Sequence, residues 1–238
     1  MMHRKKKWLI LLVLIPVLLA GGFFAYVSDN YKADETAKQA LLSDEVIIEG
    51  TDYGWFFDGP SAEKALIFYP GAKVEETAYA PLLHELSAKG IDVFVVDSPF
   101  DIAFFNMNGA DKVMKEYDYD KWFIGGHSLG GVVGSLYLQK HAEDFDGLIL
   151  FASYTNKQMP DSIKEIVIVG SEDGVINWEA LEKGRELASS DYEEHIIEGG
   201  NHSQFGSYGF QKGDGQADIS MEQQIKETVE IIMNSLND

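Results

Sequence analysis

The chain has 238 residues, of which 45% are hydrophobic, so it can bury one sizeable globular core. It contains no cysteine, which excludes disulfides, thiolate metal sites and cysteine nucleophiles. The net charge is −20, and the first 27 residues hold four of the 19 basic residues and none of the 39 acidic ones. The remainder is therefore still more acidic and repels phosphate backbones, so we expect no nucleic-acid partner.

The N-terminus predicts a membrane anchor. Residues 4–7 are basic, and residues 8–27 carry no charge. At 1.5 Å per residue this run makes a helix about 30 Å long, which matches the hydrocarbon core of a bilayer. Because no small-x-small cleavage site follows, we predict a single-pass transmembrane helix over residues 1–27, with secretion after signal cleavage as the alternative. The basic residues place the rest of the chain on the extracytoplasmic side of the cell membrane.

The next residues predict a stalk and one α/β domain. Residues 28–44 are polar and predict a juxtamembrane stalk. Residues 45–238 contain eight strand-like runs, at 45–50, 53–59, 64–70, 91–99, 121–126, 147–153, 165–171 and 193–200. Two early strands are followed by strand–helix units, which predicts a doubly wound, mostly parallel sheet with helices on both faces. Several runs are continuously apolar, as expected for strands covered on both sides.

Three segments of this domain have the periodicity of a helix with one apolar face. Their apolar positions are Tyr79, Leu82, Leu83 and Leu86; Val132, Val133, Leu136 and Tyr137; and Ile225, Val229, Ile232 and Leu236. The last segment opens on Ser220 with Gln223 three residues later, which predicts a capping box.

Residues 126–130, GHSLG, match the pattern G-x-S-x-G between a strand-like run and a helix-like segment. In that context the pattern predicts a sharp turn, the nucleophile elbow, which exposes the Ser128 hydroxyl at the carboxyl edge of the sheet. Gly126 and Gly130 are required there because a Cβ would collide with neighbouring backbone. The helix N-terminus beneath the serine favours a developing negative charge.

A serine nucleophile needs a base, and the base needs an acid that orients it. Among the six histidines, His202 directly follows the last strand-like run, in a glycine-rich loop that could bring it over Ser128. His127 adjoins the serine, so we expect it to point away from the hydroxyl and to pack. Asp173 follows the preceding strand-like run and is the candidate acid, with Glu172 as its close competitor. Serine, acid and histidine then occur in the order of one particular fold.

The segments 125–131 (GGHSLGG), 170–174 (GSEDG) and 199–206 (GGNHSQFG) resemble the α/β-hydrolase superfamily across about residues 45–238. More closely, the chain is similar to small serine hydrolases without a lid domain that group near dienelactone hydrolases. The resemblance implies that Ser128 attacks a carbonyl carbon, His202 relays the proton and Asp173 holds the imidazole. Dienelactone hydrolases proper have a cysteine nucleophile, so the serine argues against that specific activity.

An oxyanion hole needs two backbone N–H donors. Leu129, directly after the nucleophile, is the first candidate. The second should come from the loop after the strand-like run at 64–70, where we select Ala72 with Lys73 as the alternative.

The surroundings of the site predict an open cleft. Only ten residues separate Tyr154 from Glu165, which leaves no room for a lid domain. Phe100, Phe104 and Phe105 are candidates for an apolar acyl pocket, although aromatic residues at such spacing are more often core. No group of residues has metal-ligand spacing, and residues 213–215, GDG, are too few for a calcium loop. We therefore expect neither a metal nor a cofactor.

The sequence thus predicts a membrane-tethered serine hydrolase that cleaves a carboxylic ester through an acyl-enzyme. Its substrate would be a small-molecule, lipid or glycan ester. Acyl transfer by the same three residues is one alternative, and a non-catalytic binding module on a hydrolase scaffold is another. The substrate's acyl and leaving groups and the oligomeric state are not predicted.

Overall fold

The computed structural model describes residues 2–60 and 63–237. The chain divides into two compact units, the first ending at Asn30 and the second beginning at Tyr31. Helix α1 (Met2–Ser28) makes up most of the first unit. Among the described residues no helix combines the length and the apolar composition needed to cross a membrane, so the predicted transmembrane helix is not supported. The side chains of residues 4–7, on which the predicted orientation depends, lie outside the described ones.

The segment predicted as a stalk, residues 28–44, is not a free linker from Tyr31 onward. It contains the short helix α2 (Glu35–Ala40), whose first turn is capped by Asp34: its carboxylate accepts the N–H groups of Thr36 and Ala37 at 2.9 and 3.1 Å. Ala37 is fully buried in the core of the second unit. A small alanine side chain in a polar segment can therefore pack closely, which composition does not reveal.

The predicted strands all form. They are β1 (Ile47–Gly50), β2 (Gly54–Asp58), β3 (Lys64–Tyr69), β4 (Ile91–Val96), β5 (Lys121–His127), β6 (Gly147–Phe151), β7 (Lys164–Gly170) and β8 (Asp191–Ile197). They make one sheet in the order β1-β2-β4-β3-β5-β6-β7-β8. β1 and β2 pair antiparallel, β2 joins β4 antiparallel, and every other pairing is parallel. The prediction of a mostly parallel sheet is therefore confirmed.

The parallel strands place the candidate site residues at one edge of the sheet. Because β3, β5, β6, β7 and β8 run in the same direction, the loops that follow them all leave at the carboxyl edge of the sheet. The crevice outside this edge is where open α/β sheets bind ligands. Ser128, Asp173 and His202 follow β5, β7 and β8 and therefore share it.

Helices cover both faces of the sheet. They are α2, α3 (Ala80–Ala88), α4 (Ala110–Glu116), α5 (Leu129–Leu138), α6 (Trp178–Arg185) and α7 (Met221–Ser235). Leu66 and Phe68 of β3 pack in the cluster that contains α3 and α7, whereas Ala65, Ile67 and Tyr69 pack in the cluster that contains α4 and α5. This alternation along one strand is the period of two expected for β structure, with both sides apolar because both are covered.

Helix α7 contains one of the two hydrogen bonds of the predicted capping box. The Ser220 hydroxyl accepts the N–H of Gln223 at 3.2 Å, as a capping box requires. The Gln223 side chain does not return the bond and instead donates to Glu227 at 3.0 Å. Half of the predicted box is therefore present, and it is the half that satisfies an N–H of the first turn.

Candidate active site

Ser128 stands at a strained turn between β5 and α5. Its φ of 52° and ψ of −122° lie outside the regions that L-residues favour. Backbone hydrogen bonds hold it there: its N–H donates to the Phe151 carbonyl at 2.9 Å, and its own carbonyl accepts the Ser153 hydroxyl at 2.8 Å. The turn is the predicted strand–serine–helix elbow, and it turns the chain directly into the N-terminus of α5.

The glycines on each side of the serine allow a close approach of two backbone segments. A Cβ at Gly126, where φ is 156°, would lie 2.2 Å from the Tyr69 carbonyl oxygen. At Gly130 it would lie 2.0 Å from the same oxygen and 2.4 Å from that of Pro70. The elbow therefore packs against the end of β3, and only glycine fits at these two positions.

Asp173 has the contacts expected of the acid. Its Oδ2 lies 2.8 Å from Nδ1 of His202, and its side chain is fully buried. Its Oδ1 accepts the N–H groups of Val175 and Ile176, both at 2.8 Å. Glu172, the competitor left open by the sequence, is exposed and accepts the Ser171 hydroxyl instead. The geometry selects Asp173 because only its side chain turns inward at the end of β7.

His202 is oriented as a base. Its side chain is 1% exposed, and the carboxylate on Nδ1 requires the proton there, which leaves the Nε2 lone pair free. Nε2 is buried and has no hydrogen-bond partner among the described residues. His202 and Ser128 line the same cavity, and Nε2 makes no hydrogen bond to the serine hydroxyl. Catalytic hydrogen bonds of this kind commonly tighten only when substrate binds.

The two oxyanion candidates differ in how the structure places them. Leu129 begins α5 and lines the cavity with Ser128. In the loop after β3, the N–H of Gly71 donates to the Tyr79 hydroxyl at 3.0 Å and that of Lys73 donates to the Asp101 carbonyl at 2.7 Å. Lys73 is thereby removed as an alternative, and Ala72 remains the candidate between two engaged neighbours. Ala72 itself is not among the residues that line the cavity.

His127, which we expected only to pack, is a hydrogen-bonded link between two loops of the site. Its Nε2 lies 3.1 Å from the His202 carbonyl, which can only accept, so Nε2 carries the proton. Its Nδ1 therefore accepts from the Tyr79 hydroxyl at 2.8 Å, and that hydroxyl in turn accepts the Gly71 N–H. Burial, and secondarily the neighbouring His202, hold the pKa of His127 well below its usual value, so it stays neutral. Sequence reasoning missed this link because Tyr79 is distant in the chain.

The cavity beside Ser128 is small. Its volume is about 200 Å³. Its walls come from α5, from the loop after β6 and from the loop after Asp173, and they consist of Ser128, Leu129, Val132, Ala152, Ser153, Tyr154, Val175, Ile176, Asn177 and His202. Ala152 adopts a φ of 46°, a second strained backbone beside the serine. No side chain of Lys, Arg, Asp or Glu is among these described lining residues.

The three phenylalanines considered for an acyl pocket do not line the cavity beside Ser128. Phe100, Phe104 and Phe105 are 45%, 44% and 54% exposed and are not among the residues that line the cavity. Phe100 has a φ of 62° in a short 3₁₀ turn, and its ring packs edge-on against that of Phe105. Spacing alone could not show this.

A mostly parallel sheet, a strained serine between strand and helix, and a histidine bound to a buried carboxylate at two later strand ends are features of the α/β-hydrolase class. The alpha/beta hydrolase family model matches residues 65–226, and the chain belongs to that family.

Solved structures share the fold. The chain is similar to a dienelactone hydrolase from Anabaena variabilis, at 12% identity and a TM-score of 0.57, over 80% of this chain and 98% of that one. It is similar to a dienelactone-hydrolase-like promiscuous phosphotriesterase from metagenomic libraries, at 14% identity and a TM-score of 0.58, over 80% and 98%. It is also similar to a serine hydrolase involved in carbazole degradation, at 13% identity and a TM-score of 0.58, over 81% and 99%. Comparison with curated protein sequences gives no match.

Proposed function

We propose that the chain is a serine hydrolase that cleaves carboxylic esters through an acyl-enzyme on Ser128. The observation that carries the proposal is the buried 2.8 Å bond between His202 Nδ1 and Asp173 Oδ2, beside the cavity that Ser128 and His202 both line. That bond fixes the tautomer of the imidazole that can accept a proton from serine. The complete set of Ser128, His202 and Asp173 favours catalysis over a non-catalytic binding module.

In the first half-reaction the Ser128 hydroxyl oxygen attacks the ester carbonyl carbon while His202 Nε2 takes the hydroxyl proton. The carbonyl oxygen becomes an oxyanion that the N–H of Leu129 stabilises, with Ala72 as the candidate second donor. Collapse breaks the bond to the leaving alcohol, which receives the proton from Nε2. Asp173 stabilises the imidazolium in between without taking its proton.

In the second half-reaction water replaces the alcohol. Nε2 takes a proton from the water as its oxygen attacks the acyl carbon, and the same N–H donors hold the new oxyanion. Breaking the bond to Ser128 releases a carboxylic acid, and Nε2 returns the proton to the serine oxygen. The enzyme ends in its starting state, so no cofactor is consumed.

The walls of the cavity support a small, neutral acyl group. Leu129, Val132, Val175 and Ile176 present apolar side chains, and the volume of about 200 Å³ is below the ~300–1,000 Å³ of sites for drug-sized ligands. The strongly acidic chain repels an anionic substrate, and no lining cation offsets this.

A series of p-nitrophenyl esters tests this substrate class. We expect kcat/KM to be highest from acetyl to butyryl and to fall about 10-fold or more by octanoyl, because each methylene that does not fit costs on the order of 1 kcal/mol or more. Val132→Ala removes two methyl groups from the helical wall and should raise the octanoyl-to-acetyl ratio of kcat/KM by about 5-fold or more.

Val113→Ala is the matched control, because it makes the same deletion in the buried core of α4 and leaves the cavity wall intact. It should lower stability and leave the chain-length profile unchanged. A flat profile from acetyl to dodecanoyl contradicts the small acyl site.

Failure of the wild-type protein to cleave any ester and to react with a fluorophosphonate contradicts the proposed function itself. Adding an alcohol acceptor to the assay distinguishes hydrolysis from acyl transfer, because acyl transfer yields a new ester and hydrolysis yields the acid.

Export is a separate proposal, which the sequence alone supports through the basic residues before an uncharged run of 20 residues. Expression of the full chain followed by cell fractionation tests it. We expect either full-mass protein in the membrane pellet, cleaved by protease added to spheroplasts, or a shorter exported form. Full-mass protein in the cytoplasmic fraction contradicts export.

A further inference from the structure

We propose that Asp214 is a positioning residue that holds the loop of the base and the loop of the acid in register. It lies in the connection between β8 and α7, in the GDG segment at 213–215 that has no role in the steps above. The inference rests on the proposed function and extends it to a residue outside the cavity.

The Asp214 carboxylate receives donors from both loops. On the base loop, its Oδ1 accepts the His202 N–H at 3.2 Å, and its Oδ2 accepts the Ser203 N–H and hydroxyl at 2.8 and 2.7 Å. On the acid loop, Oδ1 accepts the N–H of Gly174, the residue after Asp173, at 3.2 Å. One side chain therefore ties the backbones that carry the base and the acid.

The chemistry of this cluster requires a carboxylate. Oδ1 also accepts the N–H of Gly215 at 2.8 Å, so five donors converge on two oxygens. An ionised carboxylate offers about four lone-pair sites and no donor, so it accepts these five hydrogen bonds by sharing one site, whereas an amide presents an NH₂ group to at least one donor. Hydrogen bonds to an ionised acceptor are also about twice as strong as neutral ones.

The turn that carries Asp214 lies against the acid loop at backbone contact distance. A Cβ at Gly215 would lie 1.9 Å from the Glu172 carbonyl oxygen, and one at Gly174 would lie 2.7 Å from the Gly213 carbonyl oxygen. The same turn also contacts the base loop, because the side-chain amide of Asn201 donates to the Gly215 carbonyl at 2.9 Å. The glycines therefore allow the Asp214 side chain to reach two loops at once.

The consequence for the reaction is geometric. Proton transfer from Ser128 requires the His202 ring within about 0.5 Å of its productive position. Asp173 holds the ring through Nδ1, and Asp214 holds the backbone that carries the ring. Asp214 is not among the residues that line the cavity, so it should affect the rate of the chemical step and leave substrate binding nearly unchanged.

Asp214→Asn tests the proposal, with Asp218→Asn as the matched control. Asp218 is an exposed aspartate on the same connection, so the control makes the same change of charge. We expect Asp214→Asn to lower kcat and the rate of fluorophosphonate labelling about 10- to 100-fold, with KM within about 3-fold and full labelling at long times. The deshielded proton NMR signal of His202 Nδ1–H should broaden or vanish. The control should match the wild-type protein in each readout.

A merely structural role predicts a different result: a lower Tm, with the labelling rate of the folded protein and the Nδ1–H signal unchanged. That result would overturn the proposal. Asp214→Glu keeps the charge and both oxygens and should retain more of the labelling rate than Asn; equal rates would count against a carboxylate clamp. If Asp214→Asn does not fold, Asp214→Glu is used for the same measurements. If the wild-type protein is never labelled, the proposed function fails, and the NMR comparison still decides whether Asp214 orders His202.

Discussion

Ser128→Ala should abolish labelling by a fluorophosphonate and lower ester hydrolysis about 10⁴-fold or more, because alanine has no hydroxyl to form the acyl-enzyme. The fold should survive. The hydrogen bonds that hold Ser128 use its backbone N–H and carbonyl, which alanine keeps. We expect the free energy of unfolding to change by less than about 1 kcal/mol.

Mass spectrometry of the labelled wild-type protein and urea denaturation of both proteins measure these two effects. Ser135→Ala is the matched control, because it removes the hydroxyl of a buried serine on α5 whose side chain bonds Thr155, away from the cavity. The control should label at the wild-type rate. Full labelling of Ser128→Ala would place the nucleophile elsewhere.

Asp173→Asn should lower kcat about 10³- to 10⁴-fold with little change in KM. The amide cannot hold Nδ1–H of His202 as a carboxylate does, so the imidazole takes the wrong tautomer and the developing imidazolium loses its counter-charge. The variant should keep most of its stability, because the amide oxygen can still accept the N–H groups of Val175 and Ile176 while its NH₂ group faces Nδ1.

Glu172→Gln is the control for this prediction, since it makes the same chemical change one residue earlier on an exposed side chain. Steady-state kinetics should find it within about 2-fold of wild type. If Glu172→Gln lost as much activity as Asp173→Asn, the assignment of the acid would be wrong.

The strands were predictable because their signal is local. Most are short runs rich in β-branched, aromatic and leucine residues and bounded by turn residues, and the continuous apolar runs at 65–70 and 93–96 indicate burial on both faces. The helix α5 was less well described by periodicity. Its predicted face included Val132 and Leu136, which are only partly buried, whereas Gly130, Gly131 and Gly134 are buried against the sheet. A pattern of hydrophobic residues does not identify the packed face of a helix when that face consists of glycines.

The candidate site was also predictable from the sequence only in part. The positions of Ser128, Asp173 and His202 at strand ends follow from sequence, because parallel strands bring their carboxyl ends to one edge. The choice of Asp173 over Glu172, and of Ala72 over Lys73, required the direction of a side chain and of an N–H group. The sequence could not show that Phe100, Phe104 and Phe105 lie outside the cavity wall, because spacing does not give the direction of a side chain.

The sequence by itself determined the eight strands, the mostly parallel sheet and the three residues proposed for catalysis, because each depends on neighbours a few positions away. The tertiary structure alone decided what surrounds them. The link from Gly71 through Tyr79 and His127 to His202, and the clamp of Asp214 on two loops, join residues 8 to 75 and 11 to 40 positions apart. Such contacts form only once the sheet has folded, because hydrogen bonds between distant residues carry no periodic signal along the chain.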